Sequence, residues 1–105
     1  MATGRLGAED LAAGTDTVVY TVPADTFTVA SVSVVNRGNS PVGIRIAVAT
    51  TDTPTNAEFI EYDTELGAKD VLERTGIVMD ADKRLVVYST AVNVNAVAFG
   101  IETSA

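Results

Sequence analysis

The side chains that could do chemistry in this chain are carboxylates, tyrosines and a few arginines, because histidine and cysteine are both absent. Lack of His removes the commonest general base and transition-metal ligand, and lack of Cys removes disulfides, zinc clusters and thiol chemistry. The densest carboxylate run is Glu58, Glu61, Asp63 and Glu65. Paired carboxylates can hydrolyse glycosides, but in a strand only Glu61 and Asp63 share a face, with Glu58 on the other. A solvated strand face explains them with fewer assumptions. Asp80 and Asp82 form a D-x-D turn, with Asp52 and Asp70 as conceivable further ligands. Calcium wants about six or more oxygens, far beyond what a lone D-x-D supplies. Asp as an ordinary turn residue, neutralised by the adjacent Lys83 and Arg84, is the simpler reading. Ser and Thr are abundant, yet no His or convincing Lys stands by to activate them. The expectation is a non-enzyme with no catalytic residue, no metal ligand and no cofactor.

Tyr20, Tyr62 and Tyr88 could stack on a sugar, but each lies in a β-patterned run without any Trp, which suits a core margin with hydroxyls reaching water. The basic residues Arg37, Arg45, Lys69, Arg74, Lys83 and Arg84 are scattered singly. Arg37 and Arg45 flank one turn region and could meet acidic groups of a partner; ordinary surface ion pairs within the chain are the alternative. A formal net charge of -7, from 14 acidic against 7 basic residues dispersed along the chain, repels a phosphate backbone and argues against nucleic acid as a partner.

These side chains must be positioned by strands. A length of 105 residues with 47% hydrophobic content fits one globular domain able to bury a core without cross-links. No apolar window is long enough for a membrane span or a signal peptide, so a soluble, unprocessed protein is expected. Residues 1–14 are small and glycine-punctuated, and read as an N-terminal arm that could order against a neighbouring subunit through Leu6 and Leu11. Residues 15–105 read as a single β-sandwich domain. Thr15–Val22 is a strand. Thr26–Asn36 is a second, with apolar residues on both faces, as expected of a central strand covered on both sides. It folds back through Asn36–Pro41 as a hairpin onto Pro41–Thr50, where Val42, Ile44, Ile46 and Val48 form the core face. Shorter strands follow at Glu58–Asp63, Val71–Thr75 and Arg84–Thr90. In the last, Ala91–Ile101, Asn93 and Asn95 share a face with Val97, Phe99 and Ile101, which reads as a strand entering the core from an exposed edge. The fold class is all-β: a small antiparallel sandwich of jelly-roll or Ig-like type with about seven or eight strands.

Laid out in order, GRLGAEDL at Gly4–Leu11, TDTVVYTVPADTFTVASVSVVNRG at Thr15–Gly38, EFIEYDTEL at Glu58–Leu66 and VLERTGIVMDADKRLVVYST at Val71–Thr90 resemble small virion structural proteins of tailed bacteriophages. The resemblance lies in the series of elements and spans nearly the whole chain. It implies a protein that acts by binding: a capsid decoration (cement) protein on the outside of the head, or a tail or fibre component, including a host-recognition adhesin. The implied partner is the major capsid protein or another virion protein. The implied localisation is the outer surface of the capsid, after synthesis in the host cytoplasm, and the implied state is a homo-oligomer, by default a trimer. No membrane partner is implied. Leu6, Leu11, Arg37, Gly38, Asn39 and Arg45 are the expected subunit contacts.

Overall fold

The computed structural model describes residues 2–105. Among the described residues there are eight strands: β1 (Thr3–Asp10), β2 (Thr17–Thr21), β3 (Thr26–Asn36), β4 (Val42–Ala49), β5 (Phe59–Leu66), β6 (Val71–Met79), β7 (Arg84–Ser89) and β8 (Val94–Ser104). A 3-10 turn at Asn56–Glu58 precedes β5. Two four-stranded sheets face each other, in the orders β1-β8-β3-β6 (sheet A) and β2-β7-β4-β5 (sheet B). Every named pairing is antiparallel, and β1 pairs with β8, β2 with β7, β3 with β6 and β4 with β5. That nested pairing is a long hairpin rolled over on itself, so the sandwich has jelly-roll connectivity, and the Ig-like alternative falls away.

The core lies between the sheets. Ile44 and Ile46 from β4, Leu85 and Val87 from β7, and Val32 and Val34 from β3 have no solvent exposure. Each such side chain stabilises the fold by about 1.5–3 kcal/mol. The expected core face of β4 is the observed one: Val42, Ile44 and Ile46 are buried, with Val48 packed against them.

Four expectations change. The first is the N-terminal arm: Thr3–Asp10 is the edge strand of sheet A, paired with β8 from Thr3↔Ile101 to Asp10↔Asn95. Gly7 makes this possible, since a Cβ there would lie 2.1 Å from the Val19 carbonyl oxygen, and its absence lets β1 close against β2. The second is the hairpin at Asn36–Pro41. β3 belongs to sheet A and β4 to sheet B, so this segment crosses between sheets instead of turning within one. Asn36, fully buried, holds the crossing: its amide donates to the carbonyls of Ser40 (2.8 Å), Leu66 (3.2 Å) and Gly67 (3.1 Å), and its Oδ1 accepts from Gly38 N (2.9 Å). Such a satisfied amide fixes three chain segments at one point.

The third change concerns β3, which is central in its sheet but covered on one face only: Thr28, Ala30, Val32 and Val34 are buried, while Val29 is exposed and Phe27 and Val35 are half-exposed. The fourth inverts β8. Its core face is Val94, Ala96 and Ala98, and the larger Phe99 and Ile101 point outward. Period-two alternation separates two faces without saying which one is covered.

Candidate binding surfaces

The outer face of sheet B is roofed by its own chain. Ala47 and Ala49 of β4 and Val86 of β7 form a small second cluster on that side, packed against Val18 and Phe59. The β4–β5 loop closes over one end. Arg84 reaches into it, its Nη1 donating to the Thr50 carbonyl (2.6 Å) and its Nε pairing with Asp52 (2.8 Å). Glu58 fastens the other arm by accepting from the backbone amides of Thr50 (3.1 Å) and Thr55 (2.8 Å). These backbone donors, the Thr55 amide foremost, hold the Glu58 carboxyl below its usual pKa.

Beyond this roof, Arg45 lies between two rings, 4.3 Å from the centroid of Tyr62 and 4.6 Å from that of Tyr88, and its Nε donates to Asp63 at 2.6 Å. Phe59 meets Tyr62 edge-on at 4.9 Å. Asn56, Phe59 and Tyr62 line a shallow depression of about 470 Å³. Two of the three tyrosines are thus brought onto one surface. Tyr20 is separate and buried, accepting from the Thr28 hydroxyl (2.8 Å) and donating to Glu102 (2.6 Å). Burial, then the Glu102 carboxylate, pushes the Tyr20 phenol up to about 12, and the same hydrogen bond holds Glu102 low.

The carboxylates do not converge. Asp63 sits at φ 51 beside irregular pairing of β5 and turns to Arg45, whereas Glu61 turns to Arg74 of β6 at 2.6 Å and accepts from the Thr64 hydroxyl. The Arg74–Glu61 pair ties the edge of sheet A to the edge of sheet B. Asp80 pairs with Lys83 at 3.1 Å, which lowers its pKa. Among the described residues no three acidic groups gather as a metal cage, and no helix is long and apolar enough to cross a membrane.

The expected contact residues separate into three places. Leu11 is a core residue at 3% exposure, its amide bonded to the Val94 carbonyl, and Leu6 packs half-buried against the same core, so neither anchors an arm. Their apolar bulk is already satisfied within the chain. Arg37, Gly38 and Asn39 stand together at one end of the sandwich; Gly38 and Asn39, with Val92 and Asn93 of the β7–β8 loop, line a depression of about 210 Å³, and the Arg37 amide donates to the Asn93 carbonyl. Arg37 pairs with Asp10 at 2.6 Å and its carbonyl accepts from Lys69. Arg45, on the outer face of sheet B, belongs to neither group and does not meet Arg37.

The surface that sequence reasoning missed is the outer face of sheet A. Here Ile101, Val29 and Val78 lie side by side across β8, β3 and β6, at 54%, 43% and 69% exposure. Phe99 stands one row away, with Phe27 beside them. No segment of the described chain covers this face. Its signal in the sequence is the doubly apolar alternation of β3, which fits a bare apolar face as well as two-sided burial.

No family model matches the chain, and no curated protein matches it.

Proposed function

We propose that this chain is a non-enzymatic structural protein of a tailed-phage virion, a capsid decoration protein that binds the outside of the head and stabilises the coat lattice. The observation that carries this reading is the bare apolar face of sheet A, on a domain where most basic side chains are held in ion pairs. Ion pairs occupy Arg37, Arg45, Arg74, Lys83 and Arg84, so the surface offers contact area in place of a reactive group. A net charge of -7 suits the outside of a shell better than the side facing DNA. Membership of a virion rests on the series of motifs from Gly4 to Thr90. The exposed end loop at Arg37–Asn39, braced from below by Asn36, is the surface assigned to the coat protein.

Quantitative mass spectrometry of purified particles from the virus encoding the chain tests this reading. Copy numbers in the hundreds are expected of a decoration protein. Absence from the particle would overturn it.

A second reading, a tail or fibre adhesin, is favoured by the depression at Asn56, Phe59 and Tyr62. An exposed aromatic ring beside an amide is suited to a sugar face. Tens of copies per particle, with saturable binding on a glycan array that is lost in Tyr62→Ala, would select it.

A further inference from the structure

The bare face of sheet A needs an occupant, and its own register identifies one. We infer that it is covered by the same face of a second copy of this chain, related by a two-fold axis running along the strands between β3 and β8. This rests on the reading that the protein works by assembly, and it names the first assembly step.

The edges point away from strand addition. All four edge strands are irregular: register shifts interrupt β1 at Arg5/Gly7, β2 at Val18/Tyr20, the β3–β6 pairing between Ala30 and Val32, and β5 opposite Ile44–Ala47. On β6 the shift sets Thr75 and Gly76, the latter at φ +67, opposite Ser31. The central pairings β3–β8 and β4–β7 run without interruption. Bulges of this kind block edge-to-edge pairing, which leaves faces as the surfaces for association.

The face of sheet A is complementary to itself. A two-fold axis along the strands lays β8 of one copy over β3 of the other, row by row. Ile101 then meets Val29, Phe99 meets Ser31, and Val97 meets Ser33, because these residues are direct partners within the sheet. The largest side chain of β8 thus falls on a small one of β3, and the symmetry makes each such contact twice. Charge agrees with shape. Arg5, beside Phe99 on β1, is the one basic residue without an ion pair or side-chain hydrogen bond among the described residues, and Glu73, beside Ser33 on β6, is one of several acids outside the ion pairs. Within one sheet they stand three strands apart, about 14 Å. Across the two-fold they fall on facing edges, one row apart, within reach of an arginine side chain. The area is also sufficient: four strands by the length of β3 give a face of about 20 by 35 Å, roughly 700 Å² per copy, near the 800 Å² per partner of standard interfaces.

The test is the mass of the full chain in solution, by light scattering and sedimentation equilibrium, with circular dichroism as the control for folding. The expected species is twice the 10.9 kDa protomer. Arg5→Glu and Glu73→Arg should each weaken the dimer by about tenfold or more, while the double variant should recover most of that loss. Recovery cannot arise within one chain at the separation given above. Ser31→Arg, which fills the site for Phe99, should give a folded monomer. A protomer-sized species at every attainable concentration, a trimer, or a double variant no better than the singles would overturn the inference. Dimerisation requires no capsid and the copy count requires no dimer, so the two readings fail separately.

Discussion

The two outer faces of this sandwich are built from similar strands and end up in opposite conditions. On sheet B the apolar outward residues of β4 are Ala47 and Ala49, small enough for Phe59 and Val18 to close over, and the β4–β5 loop is tied down by Arg84 and Glu58. On sheet A the outward residues of β3 and β8 include the exposed Val29, Phe99 and Ile101, and nothing in the described chain reaches across them. Large apolar side chains therefore stand on the face without cover, and the alanines of β4 lie under one. The difference teaches that apolar content alone does not locate a core. Sheet B has finished its packing within one chain, whereas sheet A presents a layer that another molecule can complete.

The sharpest way to break this contrast is to place a charge at matched positions on the two faces. Ala47→Asp puts a carboxylate into the apolar cluster under the Phe59 roof, and the expected loss is about 3–5 kcal/mol in urea denaturation. Val29→Asp, on the other outer face, should change the stability of the isolated protomer by no more than about 0.5 kcal/mol. Equal losses would mean that sheet A is covered too. Phe59→Ala tests the roof itself. Because Phe59 is only half-buried, its removal should cost about 2 kcal/mol, below the range for a fully buried Phe, and should expose Ala47 and Ala49 to hydrogen exchange at the neighbouring amides.

Much of this architecture is legible in the sequence, and the illegible part has definite causes. The limits of β3 and the core face of β4 follow from Val and Ile at period two. The orientation of β8 does not, since Val94, Ala96 and Ala98 look like the weaker face until the second sheet is seen packed against them. Glycines make Gly4–Leu11 look like a tail, yet Gly7 is what admits β1 to the sheet. Asn36 reads as a turn residue because Asn commonly is one; its burial depends on carbonyls at Leu66 and Gly67, thirty residues away. The aromatic cluster is likewise non-local, as Tyr62 and Tyr88 meet only through Arg45. The two charges that face each other across the proposed two-fold, Arg5 and Glu73, carry no local signature at all.

Strand β8 sharpens the comparison, because it places its carboxylate inward and its Phe and Ile outward. Glu102 accepts from Tyr20, which itself accepts from Thr28, so one polar link joins β2 of sheet B to β3 and β8 of sheet A. Tyr20→Phe should cost about 1–2 kcal/mol near neutral pH. The pH profile separates this link from simple packing. Glu102 has a lowered pKa in the folded state, so its contribution is present above the unfolded value of about 4.3 and is lost as pH falls below it. Tyr20, raised to about 12, contributes fully below its unfolded pKa of about 10 and loses that contribution as pH rises toward 12. The difference between wild type and Tyr20→Phe should therefore form a plateau between these limits and shrink on both sides. A difference independent of pH would assign the loss to packing.

The smallest expected effect is the most informative about sheet A. Val78 is the most exposed large apolar residue of that face, on an edge strand, and across the proposed two-fold it meets only Thr3. Val78→Thr keeps the β-branched shape that suits a strand and removes one methyl's worth of apolar surface. Protomer stability should move by less than about 0.5 kcal/mol, within the error of most denaturation curves. The same change at Val29, in the middle of the row and facing Ile101 of the partner copy, should be equally silent in a dilute protomer yet measurably weaken self-association. Chemical denaturation of both variants over a range of protein concentrations makes the distinction. If the midpoint of Val29→Thr loses its dependence on concentration while that of Val78→Thr keeps it, the centre of the bare face lies at β3 and β8. If both behave alike, the interface is centred elsewhere on the sheet.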